Sequence, residues 1–229
     1  MDDIRFIVCD VESTGLGGSA QAVEIAWAEV DEDLNIKDMI HTLLDPEMPI
    51  EYGASGIHGI ANEDVIDCPT WDEFFTEVRP GKIPGNVILI AHNAQFDKRF
   101  FERACEEKLV ATLCTLRLAR RFLPEMENHK LATLMYALHL PRQTSHRADG
   151  DVITCINLLK VLKEESGLSL LELAELSVQP LSIKTWPIGK HRGTPIAEVV
   201  KNDRSYLRWA LSNIKDMDPD LRASVEAAM

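Results

Sequence analysis

The N-terminal part of the chain is written in short apolar runs closed by turn residues, the pattern of buried strands. Residues 6–9 form such a run, which ends in Asp10-Val11-Glu12-Ser13-Thr14-Gly15. Strand side chains alternate faces, so Asp10 and Glu12 point the same way. The short loop Leu16-Gly17-Gly18 follows; it lacks both the G-x-G-x-x-G spacing and the lysine of a phosphate-binding loop. Residues 22–30 alternate, with Val23, Ile25 and Trp27 on one face. After the turn Asp31-Glu32-Asp33 comes a third run, residues 36–44. Three strands joined by short turns predict an antiparallel meander. Residues 87–91 predict a fourth buried strand.

Elsewhere the period is helical. Thr70-x-x-Glu73 is a capping box that opens a helix through Phe74, Phe75 and Val78. Pro80, Gly81, Pro84 and Gly85 then break the chain. After the fourth strand, His92-Asn93-Ala94-Gln95-Phe96 leads to a helix begun by Asp97, with Phe100, Phe101 and Ala104 on its apolar face. Residues 114–122, 130–138 and 152–162 predict three more helices. In the first of these Leu116, Leu118 and Ala119 face inward and Arg117, Arg120 and Arg121 outward. A strand meander followed by helices around a later strand predicts an α/β fold, a mixed β-sheet flanked by helices. The tail adds a short strand or hairpin over residues 186–193 with a basic tip. Thr194-Pro195 opens a short helix, Tyr206, Leu207, Trp209 and Ala210 mark a second, and Asp218-Pro219 begins a third. The predicted organisation is a main domain over 1–165, a linker over 166–180 and a small C-terminal extension over 181–229.

Composition narrows the function classes. An apolar share of 45% is enough for a core, and no apolar run is long enough to span a bilayer. The start, Met1-Asp2-Asp3, has no basic segment before an apolar run, which predicts no signal peptide and a cytoplasmic protein. Cys9, Cys68, Cys105, Cys114 and Cys155 contain no C-x-x-C pair. That argues against a disulfide framework or a thiolate zinc site and for a reducing compartment. Charge is uneven: residues 1–78 carry a net −17, 79–180 +2, 181–215 +5 and 216–229 −3, within a total of −13. Such a distribution suits one part that holds cations and a later part that meets a polyanion.

The chemistry begins at Asp10 and Glu12. Two carboxylates side by side at the end of a buried strand repel each other, and an all-oxygen site suits Mg²⁺ or Mn²⁺. Acid-x-acid pairs are common on protein surfaces, so partners are needed. Asp97 follows one strand and Asp151 opens a late helix. His146 and Asp151 would lie about 140° apart on one helix, so His146 is placed on the loop before it.

Residues 6–16, 92–97 (His92-Asn93-Ala94-Gln95-Phe96-Asp97) and 146–151 (His146-Arg147-Ala148-Asp149-Gly150-Asp151) resemble the three motifs of the DEDDh 3′→5′ exonuclease family. Residues 54–60 and 114–120 resemble further family stretches, and the likeness runs from residue 4 to about 163. Ile188-Gly189-Lys190-His191-Arg192-Gly193 and Tyr206-Leu207-Arg208-Trp209 resemble the C-terminal piece of exonuclease X-like members. The resemblance implies an RNase H-like fold and a metal-dependent 3′→5′ exodeoxyribonuclease, releasing nucleoside 5′-monophosphates in DNA repair or end processing. It implies two Mg²⁺ ions, with Mn²⁺ as a substitute, held by Asp10, Glu12, Asp97 and Asp151, with Asp10 as the bridge. His146 would be the general base; imidazole titrates near neutrality, which suits proton transfer. Thr14, Gly15 and Leu16 would meet the terminal nucleotide, and Ile57 and His58 would pack on its bases. The net +5 of the tail marks Lys190 and Arg192 as phosphate contacts. The apolar residues of the tail also recur at helical spacing, as a packing or homodimer surface would. The expected partner is a DNA 3′ end, single-stranded or duplex, and no membrane. Two alternatives stay open: an RNA-trimming exonuclease of the ribonuclease T kind, and a proofreading subunit bound to a DNA polymerase.

Overall fold

The structure, a computed structural model, describes residues 4–78, 86–104, 109–215 and 217–229. The chain divides into two compact units, Met1–Val178 and Gln179–Met229. In the first, β1 (Arg5–Ser13) is the middle of a five-stranded sheet. It pairs antiparallel with β2 (Ala22–Val30) and parallel with β4 (Val87–Ala91). The edges are β3 (Ile36–Leu43), antiparallel to β2, and β5 (Ala111–Cys114), parallel to β4. The order is β3-β2-β1-β4-β5, a mixed sheet. The continuous apolar run of β1 suits a strand covered on both faces.

Alternation sorts the two faces. Phe6 and Val8 lie with Ala26, Ala28, Ile88 and Ile90 against helical residues such as Leu118, Leu134, Val152 and Leu173. These belong to α4 (Thr115–Phe122), α5 (Leu131–Ala137), α6 (Ala148–Ser166) and α7 (Leu170–Ser177). Ile7, Cys9, Val11, Ile25 and Trp27 pack on the opposite side against Phe74, Phe75, Phe100 and Phe101. Those rings come from a helix that opens as α2 (Trp71–Glu73) and widens into a π turn over Phe74–Val78, and from α3 (Ala94–Ala104). Trp27 stacks on Phe75 with centroids 6.0 Å apart and meets Phe74 and Phe101 edge-on. Aromatic pairs of this kind add about 0.5–1.5 kcal/mol beyond the area they bury. A further short helix, α1 (Tyr52–His58), ends in a left-handed Gly59.

The meander, the fourth strand and the capping box at Thr70 stand as expected. Three boundaries differ. Residues 111–114 form a strand, so the helix expected from Cys114 starts at Thr115. The helix expected from Asp97 starts at Ala94. Residues 166–180, expected as a linker, contain α7, whose capping box joins Ser169 and Glu172, and the first unit continues to Val178. The breaks expected at Pro80, Gly81, Pro84 and Gly85 lie outside the described residues.

The second unit has its own core of Trp186, Ile196, Val199, Leu207, Leu221 and Val225. Hydrogen bonds from Trp186 N–H to Thr194 and from Gly193 N–H to Trp186 close a hairpin whose tip is the turn Gly189–His191. α8 (Ile196–Asn213) breaks at Asp203, which splits it into the two helices expected there. α9 (Pro219–Ala228) is capped by Asp218. Among the described residues no helix is long and apolar enough to cross a membrane. The four described cysteines form no disulfide.

Candidate active site

β4 pairs with β1 only as far as Val8, and β1 carries Asp10 and Glu12 beyond that point on the α6 side of the sheet. Asn93, with φ of 76°, lets the chain swing out of β4 and into α3; asparagine tolerates this left-handed conformation. The first turn of α3 then buries Asp97 to 2% exposure, and its Oδ1 accepts the Val11 N–H at 3.1 Å. Asp97 thus ties α3 to the strand between Asp10 and Glu12. Asp151 lies in the first turn of α6. The 144–146 loop passes so close that a Cβ on Gly150 would stand 2.4 Å from the Thr144 carbonyl oxygen. His146 lies on that loop, exposed, with φ of 60°, and its N–H donates to Asp151 Oδ2 at 2.9 Å. One side-chain donor atom each from Glu12, His146 and Asp151 lie within 4.8 Å of one another.

The carboxylates resist ionisation together. Burial, then the charges of Asp97, Asp151 and Glu12, push Asp10 well above the usual carboxylate range. Glu12 is pushed up to about 7 by burial and by Asp151 and Glu24. Asp97 is pushed up to about 8, chiefly by burial, against the hydrogen bonds it accepts. Asp151 is raised to about 6 by burial, offset by the His146 N–H. Four oxygen-donor groups that are each hard to ionise fit a hard divalent cation, whose charge would stabilise the ionised forms.

A fifth carboxylate stands opposite Glu12 on β2 and has a different job. Glu24 is fully buried, yet its oxygens accept from Arg147 Nη2 at 2.7 Å and Nε at 3.0 Å, from His41 Nε2 at 2.7 Å and from the Ala148 N–H at 3.0 Å. Burial would raise its pKa, but these bonds outweigh it and hold Glu24 below the usual range. Sequence reasoning passes over Glu24; the signal is a charge near the start of a strand whose residues are apolar apart from it and Glu29. It also passes over the role of His92, whose ring spans Thr115 Oγ1 at 3.0 Å and the His129 carbonyl at 2.8 Å.

The expected substrate contacts divide. Thr14 is buried, and its hydroxyl accepts the Gln21 N–H at 3.1 Å, so it braces the loop. Gly15 is pressed by the Glu51 carboxylate, which a Cβ would meet at 2.6 Å. Leu16 is 85% exposed and Ile57 57% exposed, so both present apolar surface. His58 does not: it is 4% exposed and its Nδ1 accepts the Ile60 N–H at 3.0 Å. In this structure the ring is enclosed, and its Nδ1 is taken up within the turn. In the second unit Arg192 is exposed. Lys190 Nζ lies 2.6 Å from Asp203 and 5.0 Å from the Tyr206 ring centre, so its charge is already balanced.

Residues 7–159 match the family model described as Exonuclease, and residues 189–215 match that of the Exodeoxyribonuclease X-like C-terminal region. The chain is 33% identical to Exodeoxyribonuclease 10 of Escherichia coli (strain K12) over 224 residues, 96% of each chain. It is 34% identical over 166 residues to DNA polymerase III PolC-type of Bacillus cereus, covering 69% of this chain and 11% of that polymerase. Among solved structures, exonuclease X in complex with 5′ overhanging duplex DNA matches with a TM-score of 0.60 and 29% identity, over 75% of this chain and 99% of that one. Exonuclease I of E. coli with a dT13 oligonucleotide shares the fold, with a TM-score of 0.59 at 18% identity over 72% of this chain and 42% of that one.

Proposed function

The chain belongs to the exonuclease family and is a nuclease with an RNase H-like fold, and from that premise we propose that it is a 3′→5′ exodeoxyribonuclease that releases nucleoside 5′-monophosphates from DNA 3′ ends. The reading rests on one observation: Asp10, Glu12, Asp97 and Asp151 come together as carboxylates that resist ionisation, with the His146 ring beside two of them. Asp10, Glu12, Asp97 and Asp151 would hold two divalent cations, Mg²⁺ or Mn²⁺. Such ions, when bound, ease deprotonation of a water and balance charge on the leaving oxygen. The His146 imidazole takes the proton of the attacking water. The water oxygen bonds to the phosphorus of the last phosphodiester, the bond from phosphorus to the 3′ oxygen of the penultimate nucleotide breaks, and that oxygen takes a proton from solvent water, which leaves a new 3′-hydroxyl end and a free nucleoside 5′-monophosphate. Leu16 and Ile57 offer apolar surface for the terminal bases, and Arg192 a charge for a phosphate.

Likeness along 96% of both chains to Exodeoxyribonuclease 10 favours a free-standing exonuclease on DNA; repair or end processing in the cytoplasm is the role proposed for it. Likeness to a segment of a PolC-type polymerase supports proofreading as the second reading. One experiment separates them: the pure chain is incubated with 3′-labelled and 5′-labelled DNA and RNA, with Mg²⁺ and then EDTA. The expected result is stepwise loss of 3′ label from DNA as mononucleotide, abolished by EDTA. Faster loss from RNA supports RNA trimming. Activity only with a copurifying polymerase supports proofreading, and activity that survives thorough chelation removes the two-metal mechanism.

A further inference from the structure

We propose that Glu24 is a positioning residue that delivers His146 and Asp151 to the reaction, by capping α6 from a neighbouring strand. The proposal rests on the nuclease reading above for what is positioned, and on the geometry for how. Arg147 is the N-cap of α6, and its side chain makes no cap to its own helix. The first amides of a helix have no partner within it and need one from outside. Glu24 supplies it: Oε2 accepts the Ala148 N–H at 3.0 Å, while Oε1 takes Arg147 Nη2 at 2.7 Å. One carboxylate thus grips both the side chain of the cap residue and the first amide of the helix. An anion there also suits the positive end of the helix dipole.

The residue before this grip is His146. Its φ of 60° is uncommon for a residue with a side chain, and such a conformation persists only where the surroundings over-determine it. Two restraints hold it: its own N–H on Asp151, and the anchored Arg147-Ala148 that follows. Glu24 also occupies the Arg147 guanidinium, a cation that would otherwise be at liberty to pair with the carboxylates of the site. His41, from β3, adds a donor to Oε1 at 2.7 Å, and Oε2 takes Arg147 Nε at 3.3 Å beside the Ala148 N–H, so both oxygens of Glu24 are engaged by protein donors. Glu24 is therefore outside the set of groups that hold cations, although it stands directly across from Glu12.

The test compares Glu24→Gln, Arg147→Lys and the double variant with wild type, in Mg²⁺, at a temperature where circular dichroism finds each folded. Each single variant should lose about 10- to 100-fold in kcat on labelled DNA, as loss of an outer partner does, with KM changed less than about threefold. The double variant should be no worse than the weaker single, because both break one clamp. Amide exchange at Ala148 should quicken in Glu24→Gln, a readout that needs no catalysis. Unchanged exchange at Ala148 overturns the clamp even if kcat falls. Losses that multiply in the double variant, or a kcat that returns to wild type on modest cooling, also overturn it. Should Glu24→Gln fail to fold, Arg147→Lys, which keeps the charge, is compared with wild type alone, and an unchanged kcat overturns the proposal. Wild type that degrades no DNA while Ala148 exchange still quickens overturns the nuclease reading and with it this positioning role, leaving only a helix cap.

Discussion

At Glu12, Asp97 and Asp151 the folded chain binds protons more tightly than an unfolded one, with values near 7, 8 and 6 where free carboxylates titrate at about 4. The stability linked to these protons is fully present below the unfolded value and is lost as pH rises through the folded ones. Without metal, the melting temperature should therefore fall from about pH 4 to about pH 8, and Mg²⁺ should restore it most at the alkaline end. Asp97→Asn should flatten the decline in EDTA; a metal-free melting temperature flat across that range would refute the account. Kinetics probe the same residues. His146→Ala should lose about 10²- to 10⁴-fold in kcat, the usual worth of a positioned base, yet keep its affinity for DNA. Near-normal turnover would leave His146 with no catalytic role. The five residues were legible because strand ends, a helix start and a loop are local features of a sequence. Glu24 was not, because its partner Arg147 lies 123 residues away, and a charge in a strand does not name what it will meet.

Elements set how closely those residues approach. Gly150 sits in the first turn of α6 where the Thr144 carbonyl leaves 2.4 Å for a Cβ. Gly150→Ala should push the 144–146 loop outward, cost about 1–3 kcal/mol in urea unfolding as overpacking does, and lower kcat by displacing His146. If stability and turnover both match wild type, the loop yields freely and the close approach has no function. The three strands of the meander and β4 could be read directly, β1 and β4 as apolar runs, and β2 and β3 from the turns that bound them. The boundary at Cys114 could not: β5 is a four-residue strand that runs straight into α4, and periodicity does not separate so short a run from a helix. Residues 166–180 read as a linker although Ser169 and Glu172 spell a capping box. Position decided there: α7 packs Leu170, Leu173 and Ala174 into the core shared with β4 and β5.

Across the whole molecule, charge is the property that folding does not hide. Residues 1–78 carry −17, and residues 181–215, within the second unit, carry +5. An acidic protein that acts on a polyanion needs a basic surface to offset repulsion, and each phosphate it neutralises releases counterions and steepens the salt dependence. Of the two tail cations expected to meet phosphates, Arg192 is exposed, while Lys190 is balanced by Asp203. The variant Lys190→Ala with Arg192→Ala should weaken DNA binding and flatten the plot of log affinity against log salt, by about 0.7–0.9 for each phosphate no longer neutralised. Most of that change should come from Arg192→Ala alone, because Lys190 is already paired with Asp203 and neutralises less phosphate charge. Turnover at saturating DNA should stay near wild type, since Asp10, Glu12, Asp97, Asp151 and His146 are untouched. Binding titrations at several salt concentrations, paired with sedimentation and thermal melts, decide the matter. If affinity and slope hold while self-association or melting temperature drops, the tail packs against protein, and the polyanion must be met by the first unit alone.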